Sequence, residues 1–284
     1  PTAGINGAAG GARIEEATPS YPALPRAYTA TGDLMKKLLR TALAAWAAVI
    51  LLPACTVPSS YDPAVPHAVI PAVSADTPTD ADPSAPKYVA LTFDDGPRTS
   101  TTSRLLDGLA LREIQATFFL VGDRIQGQET LVRRMAEDGH QIGVHSYDHS
   151  CISDLSRGDF DLQVGRTRGV LSAVLGSGDF WLRPPYGIID NAGLRWAGSP
   201  VVLWSVDPED WKDQDTGRVV GSVLSHVEDG SIILLHDIYD SSVDAALQIA
   251  DALSGQGYCF VTVEQLLQAK GIQPQDGTVY RCAK

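Results

Sequence analysis

Tyr88-Val89-Ala90-Leu91-Thr92-Phe93-Asp94-Asp95-Gly96-Pro97 is the stretch from which the fold reads outward: a short apolar run that ends on two adjacent carboxylates and a Gly-Pro turn. Neighbours along an extended strand point to opposite sides, yet a turn at the strand end can bring both acids to one cavity. Two carboxylates there can divide two tasks, one holding a metal ion and the other handling a proton. Taken alone, Asp-Asp-Gly-Pro is also an ordinary turn, so its chemistry depends on what the rest of the chain supplies.

Downstream of this run, β-rich segments alternate with amphipathic ones. Tyr88–Phe93, Ala116–Val121, Gln141–Val144, Phe180–Arg183, Val201–Ser205, Ser231–Leu235 and Tyr258–Val261 read as strands. Between and after them, helices are predicted over 103–111, 129–138, 159–175, 217–226, 243–254 and 263–270, on spacings such as Leu105/Leu109 and Leu131/Met135. Strands alternating with helices imply an α/β fold of parallel strands joined by right-handed crossovers. In β/α barrels, chemistry sits at the carboxyl ends of the strands. Asp94, Asp95, His145, His149, Arg183, Asp207 and His236 all fall just after a predicted strand, which scattered surface polar residues would not do.

The 284 residues are 44% hydrophobic, enough to bury one sizeable core. A formal net charge of −12 argues against a nucleic-acid or anionic-membrane surface. The first third reads as non-domain. Residues 1–34 are rich in Gly, Ala and Pro without period and precede Met35-Lys36-Lys37-Leu38-Leu39-Arg40, which resembles a natural start. The apolar stretch 42–52 and Leu52-Pro53-Ala54-Cys55 complete a signal of lipoprotein type over 35–54, with Cys55 the residue to be lipidated and Pro53 unusual within such a box. Between Thr56 and Pro86 there are seven prolines, a composition that stays extended, so 55–86 is expected to be a tether. The catalytic domain is expected over 87–284.

His145-Ser146-Tyr147-Asp148-His149 sets two imidazoles four residues apart, a spacing one helical turn can aim at one point. With Asp95 they form a donor set suited to zinc or another divalent transition metal; Asp148 is an alternative ligand. Asp94 is then free to take a proton from water acidified by the metal. His236, in Ile232-Ile233-Leu234-Leu235-His236-Asp237, is placed to donate one, and Asp207 can fix its tautomer and raise its pKa. Arg183, in Arg183-Pro184-Pro185-Tyr186-Gly187, can hold Asp94 ionised, and the Tyr186 backbone N–H can meet a developing oxyanion. Trp211 and Leu234 can wall a small apolar pocket that an acetyl methyl would fit. Trp181, Trp196 and Trp204 are expected in packing, and His67, His140 and His226 outside the chemistry.

Five ordered motifs now stand together: Thr92–Pro97, His145–His149, Arg183–Gly187, Asp207-Pro208-Glu209-Asp210-Trp211 and Leu234–Asp237. The set resembles the polysaccharide deacetylases, the NodB-homology group of carbohydrate esterase family four. In detail around Asp237–Asp244 and Gly257–Val263 it looks most like the peptidoglycan N-acetylglucosamine deacetylases. The resemblance implies a distorted (β/α) barrel of seven parallel strands in a single catalytic domain. It implies Asp94 as base, Asp95, His145 and His149 as metal ligands, His236 as acid with Asp207 its partner, and Arg183 as orienter of the base. Pro208 stands where Thr or Ser is common, and no site position is lost.

The expected activity is metal-dependent removal of N-acetyl groups from GlcNAc in peptidoglycan. The expected cofactor is one divalent ion, zinc, with cobalt or nickel as alternatives. A chitooligosaccharide deacetylase, an acetylxylan esterase and a non-enzymatic glycan-binding protein are the rivals. The chain is expected to be extracytoplasmic, as an envelope lipoprotein or a secreted protein. It is also expected to be monomeric, to act on an acetylated polysaccharide, and to meet the membrane only through a lipid anchor. After export, Cys259 and Cys282 are the expected disulfide, leaving Cys151 as a thiol.

Overall fold

The structure, a computed structural model, describes residues 86–176 and 178–284. The expected N-terminal extension, signal segment, lipidated Cys55 and all but the last residue of the tether lie outside the described residues. In chain order the elements are β1 (Lys87–Asp94), α1 (Thr99–Ala110), β2 (Thr117–Leu120), α2 (Glu129–Glu137) and β3 (Gln141–Val144). They continue with α3 (Arg157–Phe160), a π-helical stretch (Asp161–Gly165), α4 (Arg166–Leu175), α5 (Asn191–Trp196), β4 (Val201–Val202), α6 (Asp210–Asp213) and α7 (Thr216–His226). The last five are β5 (Ser231–His236), α8 (Asp240–Gly255), β6 (Tyr258–Phe260), α9 (Val263–Ala269) and β7 (Val279–Tyr280). Among the described residues, no helix is long and apolar enough to cross a membrane.

The principal sheet runs β3-β2-β1-β5, all parallel, with Asp94 in register with Phe119 of β2 and His236 of β5. Single-residue bridges join Val144 to Leu182, Leu182 to Val201, and Val206 to Ile233. Ladders and bridges together run in a ring from β1 through β2, β3, Leu182, the 201–206 stretch and β5 back to β1. The α/β fold of parallel strands is as expected, but the strand membership differs. Phe180–Arg183 shrinks to the bridge at Leu182, because Pro184 and Pro185 follow at once and supply no ladder N–H. Val279–Tyr280, unforeseen, pairs with β4 in parallel.

Strand period decides what faces where. Val89, Leu91 and Phe93 join the large core packed beneath the helices, whereas Ala90 belongs to a second cluster with Phe119, Trp181, Val202 and Ile232. The β1 side chains on the Ala90 side therefore continue through Thr92 to Asp94. On β5, Ile232, Leu234 and His236 alternate in the same way with Ile233 and Leu235. On the helix layer, Val243, Ala246, Ile249, Ala250 and Leu253 make the buried stripe of α8. Each larger member contributes about 1.5–3 kcal/mol by leaving water.

The expected Cys259–Cys282 disulfide is not formed: Cys282 is a free thiol, as is Cys151, while Cys259 is disulfide-bonded. Topology gives the reason. Cys282 bridges Ser231 on β5, Ser231 pairs with Val89 on β1, and Val89 pairs with Phe260 on β6 beside Cys259. Three strand spacings of about 4.8 Å separate the two cysteine-bearing segments, well beyond the reach of a disulfide of about 6 Å between Cα atoms.

Candidate active site

Asp94 is the last residue of β1 and is buried, pointing to the side of Ala90 and Thr92. Its Oδ1 accepts a 2.8 Å bond from Arg183 Nη1. Arg183 has no exposed surface, so a guanidinium there must be satisfied on every side. Nη1 also donates to Thr92 Oγ1 at 2.7 Å, Nη2 to the Leu203 carbonyl at 3.0 Å and Nε to the Val202 carbonyl at 3.3 Å, and its plane lies 4.2 Å from the Phe119 ring centre. Thr92 Oγ1 in turn donates to the Ile233 carbonyl at 2.6 Å. Burial pushes the Arg183 pKa down and Asp94 pulls it back up.

Asp95 would point away from Asp94 on a continuing strand, but its φ of 75° is left-handed and swings its carboxylate into the same cavity. Its Oδ1 is buried, accepts no hydrogen bond, and lies 3.2 Å from His149 Nε2 and 3.8 Å from His145 Nε2. His145 follows β3 and donates from Nδ1 to the Arg183 carbonyl at 2.8 Å, which leaves the Nε2 lone pair facing Asp95. Burial pushes the His145 pKa down, with Asp94 and Asp95 pulling the other way. Ligand atoms of Asp95, His145 and His149 all lie within 4.8 Å of one another. A buried carboxylate oxygen without a donor, set between two imidazoles, fits a divalent cation and is unfavourable without one. The two histidines do not share a helical turn. The segment from His145 to His149 is a loop with left-handed Ser146 (φ 58°) and His149 (φ 65°). Asp148 is exposed, accepts a 3.0 Å turn bond from the Ser150 N–H, and stays out of the cluster.

His236 ends β5 opposite Asp94. Its partner is Asp210, not Asp207: Asp210 Oδ1 accepts from His236 Nδ1 at 2.7 Å and Oδ2 from the His236 backbone N–H at 2.8 Å. Asp207 is exposed and accepts from the Glu209 N–H at 2.9 Å, an Asx-type turn that left-handed Glu209 (φ 51°) continues into α6. This turn carries Asp210, at the helix start, down onto the imidazole, and Asp210 has no exposed surface. Burial lowers the His236 pKa, but the bond and charge of Asp210, with Asp94 and Asp95 behind, outweigh it and raise the pKa to about 9.

Asp94, Asp95, His145, His149, Asp207 and His236 line one cavity of about 420 Å³, with Arg183 and Asp210 buried behind Asp94 and His236. Leu234 and half-exposed Trp211 form the apolar wall expected of them. Trp204, expected in packing, reaches the wall as well, and Tyr239 lines it unforeseen. Tyr186 lies on the rim with φ 61°, its ring edge-on to His149 with centres 4.9 Å apart. His140 lies outside: its Nδ1 accepts from the Ala116 N–H at 3.0 Å. The cavity thus joins a cation-ready triad, a carboxylate held by an arginine, and a histidine charged by a second carboxylate. That set is able to polarise a carbonyl, accept a proton from water and return one to a leaving group.

The model of the family described as polysaccharide deacetylase matches residues 81–198. The chain is 41% identical over 184 residues to the peptidoglycan-N-acetylmuramic acid deacetylase PdaC of Bacillus subtilis, covering 65% of this chain and 39% of that protein. It therefore spans about two fifths of that relative's length. A peptidoglycan-N-acetylglucosamine deacetylase of Bacillus cereus is 36% identical over 66% of this chain and 92% of its own length. Among solved structures, a family 4 acetyl xylan esterase from Clostridium thermocellum in complex with a cobalt ion matches with TM-score 0.66 and 32% identity, covering 69% of this chain and 98% of that one.

Proposed function

The chain belongs to the polysaccharide deacetylase family, and from that premise we propose that it hydrolyses N-acetyl groups from GlcNAc residues of peptidoglycan, releasing acetate. The observation that carries the reading is the meeting, in one cavity, of Asp95, His145 and His149 with Asp94–Arg183 on one side and His236–Asp210 on the other. Held by the triad, a divalent cation supplies positive charge that acidifies water and polarises a carbonyl oxygen. Zinc suits two imidazoles and a carboxylate, with cobalt or nickel as alternatives.

The remaining work falls to the chain's own groups. Asp94, aimed by the bond from Arg183, accepts the proton of the attacking water. The Tyr186 backbone N–H faces the oxygen that gains negative charge. His236, charged through Asp210, hands its proton to the departing amine nitrogen, so that amide and water become amine and acetate. Leu234 and Trp211 enclose the acetyl methyl. Acting on peptidoglycan would put the protein outside the cytoplasm, as a secreted or envelope-held protein.

Acetate release from peptidoglycan, chitin oligomers and acetylated xylan, measured side by side, tests the proposal. Acetate from peptidoglycan with an equal gain of free amines supports it. Release from xylan alone replaces it with an O-esterase, and tight glycan binding without acetate replaces it with a binding protein.

A further inference from the structure

The helical segment from Arg157 to Leu175 is interrupted where it passes the His145–His149 loop. Between α3 and α4 the backbone widens into the π-helical stretch Asp161–Gly165, and Gln163 lies within it. Such widened turns are uncommon and recur beside functional sites. Gln163 Oε1 accepts from the Tyr147 N–H at 2.9 Å and lies 3.4 Å from the Asp148 N–H. One turn on, the fully buried Thr167 hydroxyl sits 2.9 Å from the Ser146 carbonyl and 2.8 Å from the Gln163 carbonyl, so its proton ties loop to helix. The Arg166 guanidinium lies 3.6 Å from the centre of the Tyr147 ring. Three consecutive loop residues, 146 to 148, are thus gripped from one helical face.

The grip has a purpose in the loop's own backbone. Ser146 and His149 are left-handed without being glycine, a conformation that persists when surrounding contacts over-determine it. His145 has independent support, from the Leu120 carbonyl at its N–H and the Arg183 carbonyl at its ring. His149 follows the gripped residues directly, and its approach to Asp95 Oδ1 depends on the path they take.

We propose that Gln163 and Thr167 are positioning residues that set the affinity of the Asp95–His145–His149 triad for its cation by holding the loop that carries His149. The inference rests on the reading of those three residues as metal ligands. Outer partners of metal ligands typically change affinity by about 10- to 100-fold when removed.

The test is zinc affinity of the purified full chain, by competition with a chromophoric chelator, alongside the melting temperature of the metal-free protein. Gln163→Leu and Thr167→Val are expected to weaken zinc binding by about 10- to 100-fold. Gln163→Glu, which keeps an acceptor oxygen, and Thr167→Ser, which keeps the hydroxyl, are expected to stay within about threefold of the parent. Metal-free melting temperatures fall no further in the weak binders than in the conservative pair. If either Gln163→Leu or Thr167→Val folds and binds zinc as the parent does, or if Gln163→Glu loses as much as Gln163→Leu, the inference is overturned while the ligand reading stands. If the parent itself takes up no zinc, cobalt or nickel, the ligand reading falls and takes this inference with it.

Discussion

Replacing Asp210 with Asn isolates the group that charges His236. Asp210 presents one oxygen to the ring N–H and the other to the backbone N–H of His236. Asn retains one acceptor for these two donors and removes the negative charge. Burial opposes the imidazolium, so without that charge the His236 pKa falls from about 9 to 6.5 or below. A bound cation offsets the help from Asp94 and Asp95, which leaves Asp210 as the principal support in the loaded protein. With the metal-free values of about 9 and 6.5, the protonated fraction at pH 8 drops from about 0.9 to about 0.03, a loss of roughly 30-fold. That loss shrinks in the loaded protein by as much as the cation offsets Asp94 and Asp95. At pH 6 the fraction changes by less than about 1.5-fold. The assay is initial acetate release from a GlcNAc oligomer between pH 5 and 10 at saturating metal. The alkaline limb should move down in Asp210→Asn, by about two and a half units if the metal-free value of about 9 holds and by less where the cation offsets Asp94 and Asp95, and stay in place in Asp207→Asn. An unmoved limb in Asp210→Asn, or a moved one in Asp207→Asn, refutes the reasoning.

The same pair has a stability consequence. A histidine whose pKa is higher folded than unfolded stabilises fully below the unfolded value, near 6.5, and that contribution is lost as pH rises through about 9. Urea unfolding of the metal-free protein should show a loss of about 2–3 kcal/mol over this window, largely absent in Asp210→Asn. Arg183→Leu removes the buried partner of Asp94 and leaves its carboxylate uncompensated, costing about 3–5 kcal/mol by the same unfolding measurement. Asp94→Asn should lower kcat by about 10²- to 10⁴-fold while zinc affinity stays near that of the parent. Chelation should abolish acetate release, and restoring zinc to about 100 times its Kd should add about 2.7 kcal/mol to stability.

Much of the framework is readable because parallel strands and their helices leave a plain alternation. Tyr88–Phe93, Gln141–Val144 and Ser231–Leu235 appear close to where their runs predict, and their carboxyl ends gather the reactive residues. What escapes reading depends on backbone conformation or on neighbours distant in sequence. The motif points to Asp207 as the partner of His236, and the left-handed Glu209 after it turns the chain so that Asp210 reaches the ring instead. His145 and His149 have helical spacing, but Ser146 and His149 turn left-handed under the grip of Gln163 and Thr167, and the π stretch has no marker in the residue pattern. Cys259 and Cys282 sit near one another in the chain order of the last elements, yet β1 and β5 lie between them.

The central claim is that the cavity uses a cation, Asp94 and His236 to cleave an acetyl amide. Its most direct measurement is acetate and free amine released together from peptidoglycan by metal-stripped, zinc-restored and zinc-restored Asp94→Asn protein. The account predicts one amine per acetate from the restored protein, none from the stripped protein, and at least a hundredfold less from Asp94→Asn. Equal release by Asp94→Asn, or release that persists without metal, would contradict it.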